Sequence, residues 1–465
     1  MNRLFALLLA VFLCGNATAQ DSFSDAVDQY IDYQRGLIAL ENVTVFDGTG
    51  AAAQTDQTII LDGGVIQTVG SSSEVNVPEG ATRIDLKGHT VTPGLVGLHN
   101  HTFYSTSQRS VQQNFSAPML YLASGVTTIR TTGSVAPYDE IELRASIENG
   151  TQAGPNMYIT GPYLRGDEAW LEGPEDASRV TSYWGEEGVD WMKVYTQVTR
   201  AELKAVVEAA HAHGVKVTGH LCSIGHTEAV ELGIDSIEHD LSTNSDYAPN
   251  KEPDKCPTGD WRADYVNLDL DSEQVQHTFK TMIDAGVGRT TTPAVFEMYV
   301  QGRPRADDRS LAAMSEETRA EYLATQERFA TGAAGRTVEQ WEKSLAYDLA
   351  FHRAGGLLAA GVDPTGYGGA LPGYGDQRNY QLLLEGGFTP AETIRVMSLN
   401  GATILGIDDK TGSIEEGKRA DLVVFKGDLA SDETVITKAT LVFKDGVGFN
   451  SSRMVDAIEG VVGVR

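Results

Sequence analysis

Past its first stretch, the chain runs in short apolar segments broken by turn residues. Positions 37–45, 57–61, 65–69 and 82–86 are rich in Val, Ile and Leu, with Asp47-Gly48 and Asp62-Gly63-Gly64 between them. Runs of this length with such boundaries predict β-strands. A polar, acidic lead-in at 20–36 precedes them and has room for a short helix.

From Pro93 the rhythm changes. Strand-like runs at 94–98, 125–130, 156–160, 191–195, 216–219, 236–238, 289–295 and 357–362 alternate with helical stretches. The clearest helix is 201–213. Its Leu203, Val206, Val207 and Ala210 recur at helical spacing, and Gly214 follows as a stop. Eight strands alternating with helices predict an α/β fold, a (β/α)8 TIM barrel. Two inserts, at about 242–269 and 302–342, interrupt the alternation, and the second is charged and helical in character. After Asn400 the β pattern returns at 412–425 and 439–444. Both ends of the chain are therefore expected to build one small β-sandwich domain. The expected division is a leader at 1–19, a barrel at 93–407, and a β domain assembled from 20–92 and 408–465.

Composition narrows this picture. The chain has 465 residues, 41% hydrophobic and 22% charged, which is globular. Arg3, the apolar run 4–13 and the small-residue site Ala17-Thr18-Ala19 before Gln20 read as a secretory signal. Cleavage near Ala19 would leave a periplasmic or secreted protein. No second long apolar run follows, so no membrane span is expected. The net charge of −28 repels phosphate backbones and argues against a nucleic-acid partner. A homo-oligomer is compatible with this composition.

The ends of the barrel strands carry the chemistry. The first ends in His99-Asn-His101, and residues two apart in a strand share a face. Such a pair can aim two imidazoles at one point, as a metal site requires. The fourth strand places Lys193 inside an apolar run. The fifth ends in His220, the sixth in His239 and the eighth in Asp363. Reactive groups in a barrel sit at these C-terminal strand ends. Any one of the six could be structural, but their convergence on one rim points to a site.

In these residues the chain resembles the amidohydrolase superfamily, in its secreted imidazolonepropionase-like and prolidase-like branch with a binuclear metal site. The matching stretches are Thr92-Pro-Gly-Leu-Val-Gly-Leu-His99-Asn-His101, Lys193-Val-Tyr, Gly219-His220, Ser236-Ile-Glu-His239, Gly361-Val-Asp363 and Gly412-Ser-Ile-Glu-Glu-Gly-Lys-Arg-Ala-Asp-Leu. The resemblance implies two divalent cations, zinc most readily. His99, His101 and Asp363 would bind one, and His220 and His239 the other. Lys193 would bridge both as a CO2-derived carbamate, since a bare ammonium beside two cations is electrostatically intolerable. Nucleobase deaminases of this superfamily carry a Glu three residues after the fifth-strand His, and that position here is Ser223.

The reading is a metal-dependent hydrolase of an amide bond in a small substrate of the dipeptide or N-acyl amino acid type. Asp363 would move the proton between the attacking hydroxide and the leaving nitrogen. Opening of a cyclic amide or lactone is the alternative, and a non-catalytic binding protein that keeps the fold is a third reading. Tyr195 lies two residues after Lys193 on the same face and could hold the substrate carbonyl as charge develops. Tyr163 and Arg165 follow the third strand, and Arg165 could clamp a carboxylate. His226, just beyond the fifth strand, could line the pocket.

Loss of the leader would remove Cys14 and leave Cys222 and Cys256. In an oxidising compartment an even pair tends to be bonded. Cys222 opens the fifth loop and Cys256 lies in the insert after the neighbouring sixth strand, so both leave the same face. Two separate thiols, with Cys222 buried beside the site or acting as a soft ligand, are the other reading.

Overall fold

A computed structural model describes residues 23–165, 171–303, 307–331, 335–366 and 369–465. The proposed leader at 1–19 lies outside the described residues. Among them, no helix is long and apolar enough to cross a membrane.

The chain folds as a (β/α)8 barrel beside a composite β layer. Strands Leu95–Asn100, Val126–Thr131 and Asn156–Tyr158 form one parallel ladder. Strands Thr160–Leu164, Trp191–Val194, Lys216–Gly219, Ser236–Glu238, Gly288–Thr291 and Leu358–Ala360 form another. The third barrel strand belongs to both. It splits at Ile159, pairing backwards through Asn156–Tyr158 and forwards through Thr160–Leu164. Counted this way, the barrel has the eight strands that the alternation predicts.

The helices pack outside by the expected logic. Arg200–Ala212 buries Leu203, Val206, Val207 and Ala210. Its start is fixed by a capping box between Thr199 and Glu202. The second insert supplies helices Asp308–Ala313 and Glu316–Ala330, and the first winds through short 3-10 turns such as Ala263–Asn267.

The seventh strand differs from its expectation. It stops at Thr291, and Pro293–Glu297 is a helix. The run of threonines favours a strand, but Pro293 cannot donate to a ladder and suits the first turn of a helix.

Where the β pattern predicts a sandwich, the two ends of the chain build one continuous nine-stranded sheet. Its seam is the antiparallel pairing of His89–Pro93 with Leu422–Lys426, which joins the two ends of the chain. Leu40, Ile59, Val91, Leu422, Val424 and Phe443 meet in its core. The lead-in contributes the helix Asp25–Asp28 and an unanticipated edge strand, Ile31–Tyr33, paired with Val447–Asn450. His89–Pro93 then runs through Gly94 into the first barrel strand. The sheet thereby anchors the strand that carries His99.

Candidate metal centre

The six residues expected at the rim come together in the structure. His99 and His101 leave the first strand on one face, as period two requires. The Nε2 atoms of His99 and His101 lie 3.6 and 3.2 Å from Asp363 Oδ1. Lys193 Nζ lies 3.2 Å from His99 Nε2. Ring centroids of His99 and His239 are 4.5 Å apart, and those of His220 and His239 are 4.3 Å apart. Donor atoms of His99, His239 and Asp363 all lie within 4.8 Å of one another.

Two of these residues hold backbone conformations that L-residues seldom adopt. His239 has φ 71° and Asp363 φ 50°. Left-handed non-glycine residues cost free energy and cluster at functional sites. Here each turns the chain just past a strand end, so that the side chain faces inward.

The outward nitrogens of three rings are already occupied. His99 Nδ1 meets Glu238 Oε2 at 2.7 Å, His101 Nδ1 meets the Gly133 carbonyl at 3.1 Å, and His239 Nδ1 meets Thr292 Oγ1 at 2.9 Å. A carboxylate or a carbonyl can only accept, so Nδ1 carries the proton in His99 and His101. Their Nε2 lone pairs are left pointing into the cluster.

Electrostatics prepares the same state. Burial, reinforced by Lys193, holds His99 well below the usual imidazole range. Burial likewise lowers His101 and brings His220 down to about 3. It also holds His239 far down, with His220 adding to the effect. Burial pushes Asp363 up, but His99, the hydrogen bond to His101 and the nearby Lys193 outweigh it, so the carboxyl stays ionised. Neutral imidazoles and a carboxylate are the protonation states that metal ligands must have. The donor set of nitrogen and oxygen therefore fits a divalent cation of the zinc type.

Lys193 is the exception in charge. It is 2% exposed, and burial lowers its ammonium to about 8. An amine poised in this way loses its proton easily.

A cavity of about 620 Å³ opens above the cluster. Lys193, His220, His239 and Asp363 line its floor, and Phe103, Tyr163, Tyr195, Val295, Phe296 and Tyr299 line its walls. Tyr163 pairs in register with Lys193, and its hydroxyl lies 3.5 Å from His101 Nε2. Arg165 also lines the cavity and stands over the Tyr195 ring at 5.4 Å. His226 does not line it. That ring is fully buried at the start of the helix His226–Glu231. Cys222 and Cys256 are bonded, with Cα atoms 5.0 Å apart, and tie the first insert to the fifth loop.

Several residues at the site escape the sequence reading. Glu238 and Arg130 form a fully buried ion pair beneath His99. Both sit in mixed polar strand runs, Thr-Thr-Ile-Arg130-Thr and Ser-Ile-Glu238-His, which lack the apolar flanks that single out Lys193. Thr292, partner of His239, carries no signal at all among its neighbouring threonines.

Comparison with known proteins places the chain in a family. The sequence profile of the Amidohydrolase family matches residues 90–250 and 375–452. The chain is 25% identical to imidazolonepropionase from Pseudomonas aeruginosa over 405 residues, covering 80% of this chain and 87% of that one. It is 29% identical over 180 residues to enamidase from Eubacterium barkeri, covering 35% of this chain and 44%, less than half, of the enamidase. A solved Xaa-Pro dipeptidase with methionine bound in its active site superposes with a TM-score of 0.66 at 22% identity, over 89% of this chain and 100% of that one. At that identity the likeness establishes the fold.

Proposed function

The chain belongs to the amidohydrolase family and is a hydrolase of carbon–nitrogen bonds, and we propose that it is a binuclear enzyme cleaving the amide of a dipeptide or N-acyl amino acid. The observation that carries this reading is the meeting of three strand ends. Asp363 Oδ1 stands within 3.6 Å of two imidazole Nε2 atoms, one of which also touches Lys193.

In this reading His99, His101 and Asp363 would hold one divalent cation, and His220 and His239 would hold a second. Lys193 would serve both as an anionic ligand once its neutral amine had added to CO2, giving a carbamate and one released proton. When bound, the cations would supply Lewis acidity toward a carbonyl and lower the pKa of water. Asp363, ionised and 15% exposed at its side chain, takes the proton of the attacking nucleophile and passes it to the leaving nitrogen. Burial holds the Tyr163 phenol protonated, which keeps it a donor facing the floor. Tyr195 lies beside His220, ring centroids 4.9 Å apart, and can donate to the substrate oxygen as charge grows on it. The aromatic walls favour an apolar side chain, and Arg165 at the mouth suits a carboxylate.

The long match to imidazolonepropionase, whose name points to a ring substrate, favours opening of a cyclic amide or lactone as the second reading. Secretion belongs to the same proposal. The leader-like 1–19 supports it, as does a disulfide, which persists in oxidising compartments. A hydrolysis screen of zinc-loaded protein against dipeptides, N-acyl amino acids, cyclic amides and lactones tests the reading. Turnover of open-chain amides that a chelator abolishes supports it, and turnover confined to rings selects the alternative.

A further inference from the structure

Neighbouring residues of a strand point to opposite sides. Glu238 and His239 nevertheless both reach His99, one by a hydrogen bond and the other ring to ring. The left-handed turn at His239 makes this possible. The proposed ligand thus has, as its immediate chain neighbour, an acid aimed at the same cluster from below.

Glu238 is fully buried and accepts from three donors: the Arg130 guanidinium, the Thr218 hydroxyl and His99 Nδ1. Arg130 is fully buried as well and stands over the Trp191 ring at 4.5 Å. A lone buried carboxylate would be prohibitively expensive, and the Arg130 guanidinium supplies the partner that such a group needs. The other two occupied rings lean on neutral partners, His101 on a carbonyl and His239 on a hydroxyl. His99 alone among these three has an anion behind it. An anionic acceptor makes the imidazole a stronger donor through its far nitrogen and fixes its orientation.

We propose that Glu238, held by Arg130, is a positioning residue that makes the His99–His101–Asp363 half of the centre the tighter of two unequal cation sites. The inference rests on the binuclear reading above. It goes beyond that reading by ranking the two sites and naming the residue that ranks them.

The test is a zinc titration of chelator-stripped full-length protein against a competing chelator, with melting of the metal-free form as the control for folding. Wild type should take up two equivalents of distinct affinity. Glu238→Gln should weaken the tighter equivalent by roughly 10- to 100-fold and leave the other unchanged. It should lower kcat by a similar factor with little change in KM. Because Glu238→Gln leaves Arg130 buried without its counter-charge, two further variants guard the result. Arg130→Met with Glu238→Gln removes both charges. Glu238→Asp keeps the charge opposite Arg130 but draws the oxygen back from His99. Each should lose zinc affinity at the tighter site even where the metal-free melting temperature matches wild type. Variants that fold and bind both equivalents as wild type does would overturn the ranking. Wild type that takes up a single equivalent would instead overturn the binuclear reading, and the ranking with it.

Discussion

The backbone N–H of Asp363 donates to the carbonyl of His99 at 2.7 Å. This bond closes the barrel between its last and first strands, and it also sets the distance between two proposed ligands. Gly361 permits the approach. A Cβ placed there would lie 2.2 Å from the His99 nitrogen. Barrel closure and site assembly are therefore one event, made where the chain's first and last barrel strands meet.

Gly361→Ala should separate these strands. Overpacking a closed core costs about 1–3 kcal/mol, and here the displaced atom is the backbone of a ligand residue. We expect a lower melting temperature together with loss of bound zinc, read by calorimetry and elemental analysis. A stable variant that retained full zinc content would show that the contact yields without cost to the site.

Asp363→Asn should lower kcat by about 10²–10⁴-fold, the usual worth of a general acid–base group, with a smaller effect on KM. Steady-state kinetics on the best substrate of the screen decides it. Near-normal kcat from pH 6 to pH 9 would place the base elsewhere.

Lys193→Ala should abolish turnover, with partial rescue by short carboxylic acids added with excess zinc. The pH dependence of assembly follows from the lowered ammonium, at about 8. Only the neutral amine adds to CO2. Below about pH 8 its fraction falls tenfold per unit. Reactivation of stripped enzyme at constant dissolved CO2 should therefore accelerate as pH rises and level off above that value. A rate independent of pH, or full activity in Lys193→Arg, would exclude the carbamate.

Much of the site was legible because strand-end positions follow from periodicity. His99 and His101 share a face by period two, and His220 and His239 each close a short strand-like run. What stayed hidden depends on the third dimension. Glu238 and Arg130 are 108 positions apart, and only the barrel makes them partners. The inward turn of His239 is a dihedral angle that no residue type announces. The expected seventh strand runs on past Thr291 because threonines favour a strand, whereas Pro293 starts a helix. That helix sets Phe296 in the cavity wall.

Glu140 offers a pH test of the fold itself. It is fully buried, donated to by Thr102 at 2.8 Å, and burial pushes its carboxyl from 4.5 up to about 7. The folded state thus holds this proton more tightly than the unfolded chain does. Its stability contribution is intact below pH 4.5 and is lost as pH rises through 7, by about 3 kcal/mol. Urea melts at pH 5 and pH 8 should register the loss, and Glu140→Gln should flatten it. An equal loss in the variant would assign the slope to other groups.

The bond between Cys222 and Cys256 spans 34 positions and joins the fifth loop to the first insert. Cys222 is buried two residues past His220, so the bond fixes the insert directly against the proposed centre. In the chain-entropy picture, closing a loop of this length constrains the unfolded chain by about 4 kcal/mol. Reduction should therefore lower stability by that order and loosen the insert. It removes none of the proposed ligands, so zinc should remain bound while activity falls. Peptide mapping without reductant establishes the bond, and protease digestion with and without reductant reports on the insert. If both cysteines alkylate fully in denaturant alone, the bond is absent from the purified protein. If reduction instead released zinc along with activity, the insert would be supporting the centre itself and not only the wall above it.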